Sequence, residues 1–257
     1  MPIPERLNPT FTSHRSRVPD RRDEARQRLI VALDVPSAKS AIETVKRLEG
    51  TCAWFKVGLE LFTAVGPGIV QRLAEQGHSV FLDLKFHDIP NTVAGAVRSA
   101  AVLGARMINV HAAGGPEMLS AARAALDGIA NPPLLLAVTV LTSLDGAQLK
   151  ATGVGRSPGK QVEWLAKLGL KAGIRGFVCS PQEVAALRAL TGAQAVLVVP
   201  GIRPAGARTG DQKRLATPGA AIRDGASYLV VGRPITQASD PAKAAEAVIQ
   251  EISAALK

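Results

Sequence analysis

Ser79-Val-Phe-Leu-Asp83-Leu-Lys85-Phe-His-Asp88-Ile-Pro-Asn-Thr92 passes from an apolar run straight into a dense group of charges. The run from Ser79 to Asp83 is short, rich in β-branched and aromatic residues, and has the length of a buried strand. From Thr92 to Leu103 the apolar residues recur at helical spacing, so the stretch reads as strand, polar loop, helix. Residues two apart on a strand share a face, which points Asp83 and Lys85 the same way at the strand end and leaves Asp88 in the loop beyond.

The same unit recurs in both directions along the chain. Strands are expected at Leu29 to Asp34, Ala53 to Val57, Ser79 to Asp83, Met107 to Val110, Leu134 to Val140, Gly176 to Val178, Ala195 to Val199 and Tyr228 to Val231. Helical segments fall between them: Ser37 to Leu48, Leu59 to Glu75, Thr92 to Leu103, Glu117 to Leu126, Lys160 to Lys171, Pro181 to Leu190 and Pro234 to Ala255. Ser37 suits an N-cap, and Ser180-Pro181 places proline at a first helical position. Eight alternating units with polar residues just after the strands predict a single-domain (β/α)8 TIM barrel, whose usual size of about 250 residues matches this chain. A doubly wound sheet is the fallback, but it would carry a glycine-rich turn after its first strand, and Leu33-Asp-Val-Pro-Ser37 offers none.

The barrel is expected over residues 29–257. Residues 1–28 hold four prolines and seven arginines against four acids with little apolar periodicity, and read as a basic, flexible N-terminal tail. No apolar run reaches the roughly 18 residues of a membrane span and the N-terminus lacks a secretory signal core, which predicts a cytoplasmic protein with no membrane partner. The net charge of +10 fits either nucleic acid or a multiply anionic small molecule. Basic residues spread along the chain, and aromatics at only 4%, argue against nucleic acid. Cys52 and Cys179 lie in apolar surroundings without metal-like spacing, and the four histidines are scattered, so no metal site is legible.

In a barrel the strand ends converge on one mouth, which brings Asp34 and Lys56 beside Asp83 and Lys85. Burying such charges is costly unless they pair, and carboxylates at Asp83 and Asp88 would hold Lys85 as an ammonium able to donate a proton. A structural ion-pair network closing the barrel end is the plainer alternative. On the other side, strand seven runs into Pro200-Gly-Ile-Arg203-Pro204, a later turn carries Gly210-Asp-Gln212, and strand eight ends in Gly232-Arg233. Loops after strands seven and eight are the usual phosphate site in these barrels, and Arg233 can present a planar fork to a phosphate dianion.

Together these segments, with Val140-Leu-Thr142-Ser143, resemble the bacterial-type orotidine 5'-phosphate decarboxylases from about Leu29 to the C-terminus. The resemblance implies decarboxylation of orotidine 5'-monophosphate to UMP without cofactor or metal, with Lys85 as the catalytic acid oriented by Asp83 and Asp88. It implies that Asp34 and Lys56 hold the ribose hydroxyls, that Thr142 touches the pyrimidine, and that Arg203, Gln212, Gly232 and Arg233 hold the phosphate. It also implies a homodimer with shared active sites, in which the segment bearing Asp88, Ile89 and Thr92 reaches into the neighbouring site. The stretch from Arg203 to Thr217 is the candidate lid. Two alternatives stay open: a Mg-dependent sugar-phosphate decarboxylase or aldolase of the same superfamily, and a barrel that only binds nucleotide or RNA.

Overall fold

The computed structural model describes residues 20–204 and 215–256. Eight parallel strands close into a barrel in sequence order: β1 (Leu29–Ala32), β2 (Trp54–Gly58), β3 (Ser79–Phe86), β4 (Met107–His111), β5 (Leu134–Val138), β6 (Gly176–Val178), β7 (Val196–Val199) and β8 (Tyr228–Val231). The seam pairs Leu29 with Leu229 and Val31 with Val231. Twelve helices occupy the connections of the described residues: α1 (Arg21–Gln27), α2 (Ala38–Arg47), α3 (Leu59–Val65), α4 (Gly68–Glu75), α5 (Pro90–Ala101), α6 (Gly115–Ala124), α7 (Gly146–Ala151), α8 (Pro158–Lys171), α9 (Val184–Thr191), α10 (Pro218–Arg223), α11 (Arg233–Thr236) and α12 (Pro241–Ala255).

Side-chain alternation separates two layers of packing. Leu29, Val31, Phe55, Val57, Val80, Leu82 and Ile108 join the helices in one large core. Ile30, Ala32, Trp54, Phe81, Met107, Leu136, Val198 and Val230 form a second, smaller cluster. The period of two carries this second set upward into polar residues: Ala32 is followed by Asp34, Trp54 by Lys56, Phe81 by Asp83 and Met107 by Asn109. The interior is therefore apolar at its base and charged at the C-terminal strand ends, as expected for a barrel enzyme.

Several elements differ from the sequence expectation. The helix expected over Leu59 to Glu75 divides at Gly66, whose φ is +73°, followed by Pro67 at the N-cap of α4. The last expected helix divides too, because the Asp240 side chain accepts from Lys243 N–H and starts α12 afresh ahead of Pro241. Pro181–Glu183 is a 3-10 turn ahead of α9. Helix α7, opened by a capping box of Asp145 and Gln148, and α10, capped by Thr217, are absent from the expected set, since both are shorter than the windows in which periodicity shows.

The tail is expected to run through Arg28, but residues 20–28, its described part, form a helix and its caps. Asp20 caps α1 by accepting from Arg22 N–H, Ala25 is fully buried, and α1 packs on α12. Arg22 holds Glu246 of α12 through two bonds of 3.0 and 2.9 Å. Among the described residues, Arg21 and Arg22 lie on the exposed side of this docked helix, while Arg26 and Arg28 are half-buried.

Candidate active site

A cavity of about 600 Å³ opens at the C-terminal ends of the strands, lined by Asp34, Lys56, Asp83 and Lys85 on one side and by Arg203, Gly232 and Arg233 on the other. Thr142 also borders it, and Ala32, Phe81, Val138, Val178 and Val230 form its apolar lining. Eight of the residues singled out from the sequence thus share one cavity. Gln212 lies outside the described residues, as does most of the expected lid.

The four charged groups alternate in sign along a continuous chain of contacts. Lys56 Nζ donates to Asp34 Oδ1 at 2.8 Å and faces Asp83 Oδ2 at 3.4 Å, while Lys85 Nζ donates to Asp83 Oδ1 at 2.7 Å. Burial by itself would raise the Asp83 pKa, but Lys56, Lys85 and hydrogen bonds from Lys85 and Asn109 more than offset it and hold the carboxyl below its ordinary value. Burial likewise opposes the charge on Lys56, and Asp83 and Asp34 outweigh it, so that pKa is raised. Both groups are therefore ionised at neutral pH.

Lys85 reaches Asp83 by an irregular route. The β3–β4 register shifts between Leu82 and Phe86, and Lys85 has φ +51°, in the left-handed region that costs a non-glycine residue roughly 1–2 kcal/mol. Simple alternation along an unbroken strand is thus not what aligns Lys85 with Asp83. The Lys85 N–H donates to Asn109 Oδ1 at 2.7 Å, and Asn109 Nδ2 donates to Asp83 Oδ1 at 2.7 Å.

The expectation that Asp83 and Asp88 both flank Lys85 holds, within one chain, for Asp83 alone. Asp88 is exposed and accepts from Ile89 N–H at 2.6 Å, a turn contact, and is not among the ion-pair partners of Lys85 in the described residues. Ile89 is 67% exposed and Thr92 is exposed, and neither lines the cavity. The reason is local: the chain turns away from the mouth at Asp88-Ile89 before α5 begins.

On the opposite wall Gly201, with φ +79°, turns the chain after β7 and leads to Arg203, whose N–H donates to Ala216 O at 3.0 Å. Burial and then the neighbouring Arg233 lower the Arg203 pKa, so two guanidinium groups share one wall. An anion suits that wall. Gly232 stands beside both walls: a Cβ there would lie 3.5 Å from Ala32 Cβ and 3.7 Å from Asp34 Oδ2, in ordinary contact with each.

Asn109, Glu60, Ser143 and Gln237 were not singled out by sequence reasoning. The last three line the cavity from the first turn of α3, the loop after β5 and the C-cap of α11, where isolated polar residues carry no distinguishing signal. Asn109 had one: it is a polar residue inside the apolar run Met107 to Val110, at a position that alternation turns to the same face as Met107. Of the two cysteines, both buried, Cys52 sits in the core with its thiol pushed up to about 12 by burial, and Cys179 borders the cavity.

The sequence matches the family described as Orotidine 5'-phosphate decarboxylase / HUMPS over residues 27–248. The orotidine 5'-phosphate decarboxylase of Idiomarina loihiensis is 52% identical over 225 residues, covering 88% of this chain and 97% of the relative. That of Halorhodospira halophila is 53% identical over 228 residues, covering 89% and 97%. Among solved structures, the orotidine 5'-phosphate decarboxylase of Lactobacillus acidophilus superposes with a TM-score of 0.78 at 39% identity, covering 88% of this chain and 99% of that one. With its match spanning nearly the whole barrel and relatives above half identity, the chain belongs to the orotidine 5'-phosphate decarboxylase / HUMPS family.

Proposed function

We propose that this chain decarboxylates orotidine 5'-monophosphate to UMP, the closing step of de novo pyrimidine nucleotide synthesis, with no cofactor and no metal. The observation that carries the reading is the alternating run Asp34, Lys56, Asp83, Lys85 facing Arg203 and Arg233 across one cavity. Breaking the bond from C6 to the carboxylate releases CO₂ and leaves an electron pair in the ring plane, where the pyrimidine cannot delocalise it. An ammonium fixed beside C6 stabilises that charge as it forms, and the Lys85 Nζ proton then adds to C6. The neutral amine regains its proton from solvent.

In this reading Asp83 holds and aims Lys85, Asp34 and Lys56 hold the ribose hydroxyls, and Thr142 meets the base. Arg203, Gly232, Arg233 and Gln212 hold the phosphate, whose distant grip supplies binding energy for the reacting end. Asp88, Ile89 and Thr92 serve the site of a second copy. Their exposure, together with that of Leu59 at the same end of the neighbouring strand, supports a homodimer that shares its sites. The catalytic unit is the barrel over residues 29–257, and the work is done in the cytoplasm. No helix of the described residues is long and apolar enough to cross a membrane.

The family also embraces sugar-phosphate enzymes that need Mg²⁺. Lys56, buried and held in its charged form, occupies the strand-two position where those enzymes place an acid, and a cation there repels a second cation. The test is the loss of ultraviolet absorbance of orotidine 5'-monophosphate with purified protein, with and without EDTA. Turnover indifferent to chelation is expected, with a drop of about 10⁴-fold in Lys85→Ala at unimpaired UMP binding. Activity abolished by EDTA and restored by Mg²⁺, or turnover that survives Lys85→Ala, contradicts the proposal.

A further inference from the structure

Asn109 is fully buried at the middle of β4. Its amide makes two short bonds, both to the segment that carries the proposed acid. The Oδ1 accepts the backbone N–H of Lys85 at 2.7 Å, and the Nδ2 donates to Asp83 Oδ1 at 2.7 Å. That carboxylate oxygen is the one that also receives Lys85 Nζ at 2.7 Å. We propose that Asn109 is a positioning residue for Lys85, one amide fixing the lysine at both ends: its backbone directly and its ammonium through Asp83. This rests on the decarboxylase reading above.

The need for such a residue follows from the strand. Between Leu82 and Phe86 the β3–β4 register shifts, so the ladder does not supply Lys85 N–H with a regular partner. A part-buried N–H must bond somewhere, and here the partner is a side chain. The left-handed backbone at Lys85 persists only where its surroundings over-determine it, and the bond to Asn109 is one such constraint. The direction of the amide is dictated by its neighbours: an N–H needs an acceptor on one side, and an ionised carboxylate needs a donor on the other. Only one orientation of Asn109 serves both.

Neither an acid nor an apolar residue can do the same. The charged groups around Asn109 are Asp83 and Lys85 on β3 and, beyond Asp83, Lys56 on β2; its β5 partner is the apolar Leu136, and farther along β4 His111 packs against His87. In Asn109→Leu both bonds vanish and Asp83 loses a donor. In Asn109→Asp the introduced carboxyl still accepts from Lys85 N–H, but it can donate to Asp83 only while protonated, and ionised it repels Asp83.

The experiment measures kcat and KM for orotidine 5'-monophosphate, UMP binding and thermal unfolding for wild type, Asn109→Leu and Asn109→Asp. Asn109→Leu is expected to lose about 10²-fold in kcat, the cost of misplacing a reacting group by about an ångström, with UMP affinity changed less than about threefold. Asn109→Asp is expected to recover kcat, relative to wild type at the same pH, as the pH is lowered from about 8 to about 5.5, because protonation restores the missing donor. A structural residue would move the melting temperature without that pH-dependent recovery. Should Asn109→Leu fail to fold, the near-isosteric Asn109→Asp decides by its pH profile. An active wild type whose Asn109→Leu variant keeps kcat within about threefold, or an Asn109→Asp variant that parallels wild type at every pH, overturns the positioning role. A wild type without decarboxylase activity refutes the function instead.

Discussion

Lys56 Nζ and Asp83 Oδ2 face one another at 3.4 Å across adjacent strands, so the proposed ribose-binding cation and the carboxylate that grips Lys85 form one electrostatic unit. Both are largely removed from water. A buried ion loses far more when its partner is deleted than the pair contributes when intact.

Lys56→Ala is therefore expected to destabilise the fold by roughly 3 kcal/mol as well as to weaken substrate binding. The pH dependence has a definite sign. The Asp83 pKa is lower in the fold than in the unfolded chain, so its stabilisation is complete above the unfolded value of about 3.9 and is lost as pH falls through the folded value. Removing Lys56 raises that folded value, and acid unfolding should begin at a higher pH. Melting temperatures of both proteins between about pH 3 and pH 6 check this, and curves that stay parallel would count against it.

Arg233→Ala should cost about 10²- to 10³-fold in kcat/KM for orotidine 5'-monophosphate, the loss expected for two charge-assisted hydrogen bonds. The bare nucleoside, which has no phosphate to lose, should be turned over at nearly the wild-type rate. Equal losses for both substrates would show that Arg233 acts on the reacting end or on folding.

If the exposed Asp88 serves a second copy, two inactive variants should rescue one another. Lys85→Ala and Asp88→Ala chains, refolded as a mixture, pair at random into mixed dimers that each hold one intact site. Activity should return to about a quarter of wild type. A mixture that stays inactive, while each variant alone remains dimeric, would place Asp88 and Lys85 in the same chain's site.

Arg188 is a separate, purely structural feature at the far end of the barrel. Its guanidinium donates to the carbonyls of Gly192, Ala195 and Gly225 at 2.7 Å and to Ser227 Oγ at 3.1 Å, tying the turn before β7 to the turn before β8. Arg188→Ala should lower stability by about 2 kcal/mol, because the part-buried carbonyls of Ala195 and Gly225 lose their donor at once. Arg188→Lys should not rescue it, since an ammonium cannot span that fork. Urea unfolding gives the number, and kcat should be unchanged.

The barrel was legible because eight short apolar runs alternate with helical stretches, several of the runs ending in a charge or a glycine, and that leaves little room for another topology. The charged side of the site was legible for the same reason: Asp34, Lys56 and Asp83 extend the alternation of their strands. Asp88 shows where that reading runs out. Spacing places it three residues beyond Lys85, but whether a loop folds back or turns outward depends on the bond between Asp88 and Ile89 N–H, and on a second copy that one sequence does not describe. The left-handed Lys85 was equally invisible, since it arises from the β3–β4 register, a relation between two strands. Helix α1 was missed because arginine content outweighed a single buried alanine.

The seam of the barrel has a consequence for how the protein comes into being. Leu29 pairs with Leu229, and Arg22 clasps Glu246, so the cylinder closes only when its first and last units meet. Contacts that distant in sequence form slowly. Asp34 and Arg233 stand on either side of that seam, and no nascent or truncated chain lacking β8 can assemble both halves of the pocket. Catalytic competence should therefore arrive in one step after synthesis, with every earlier species mute.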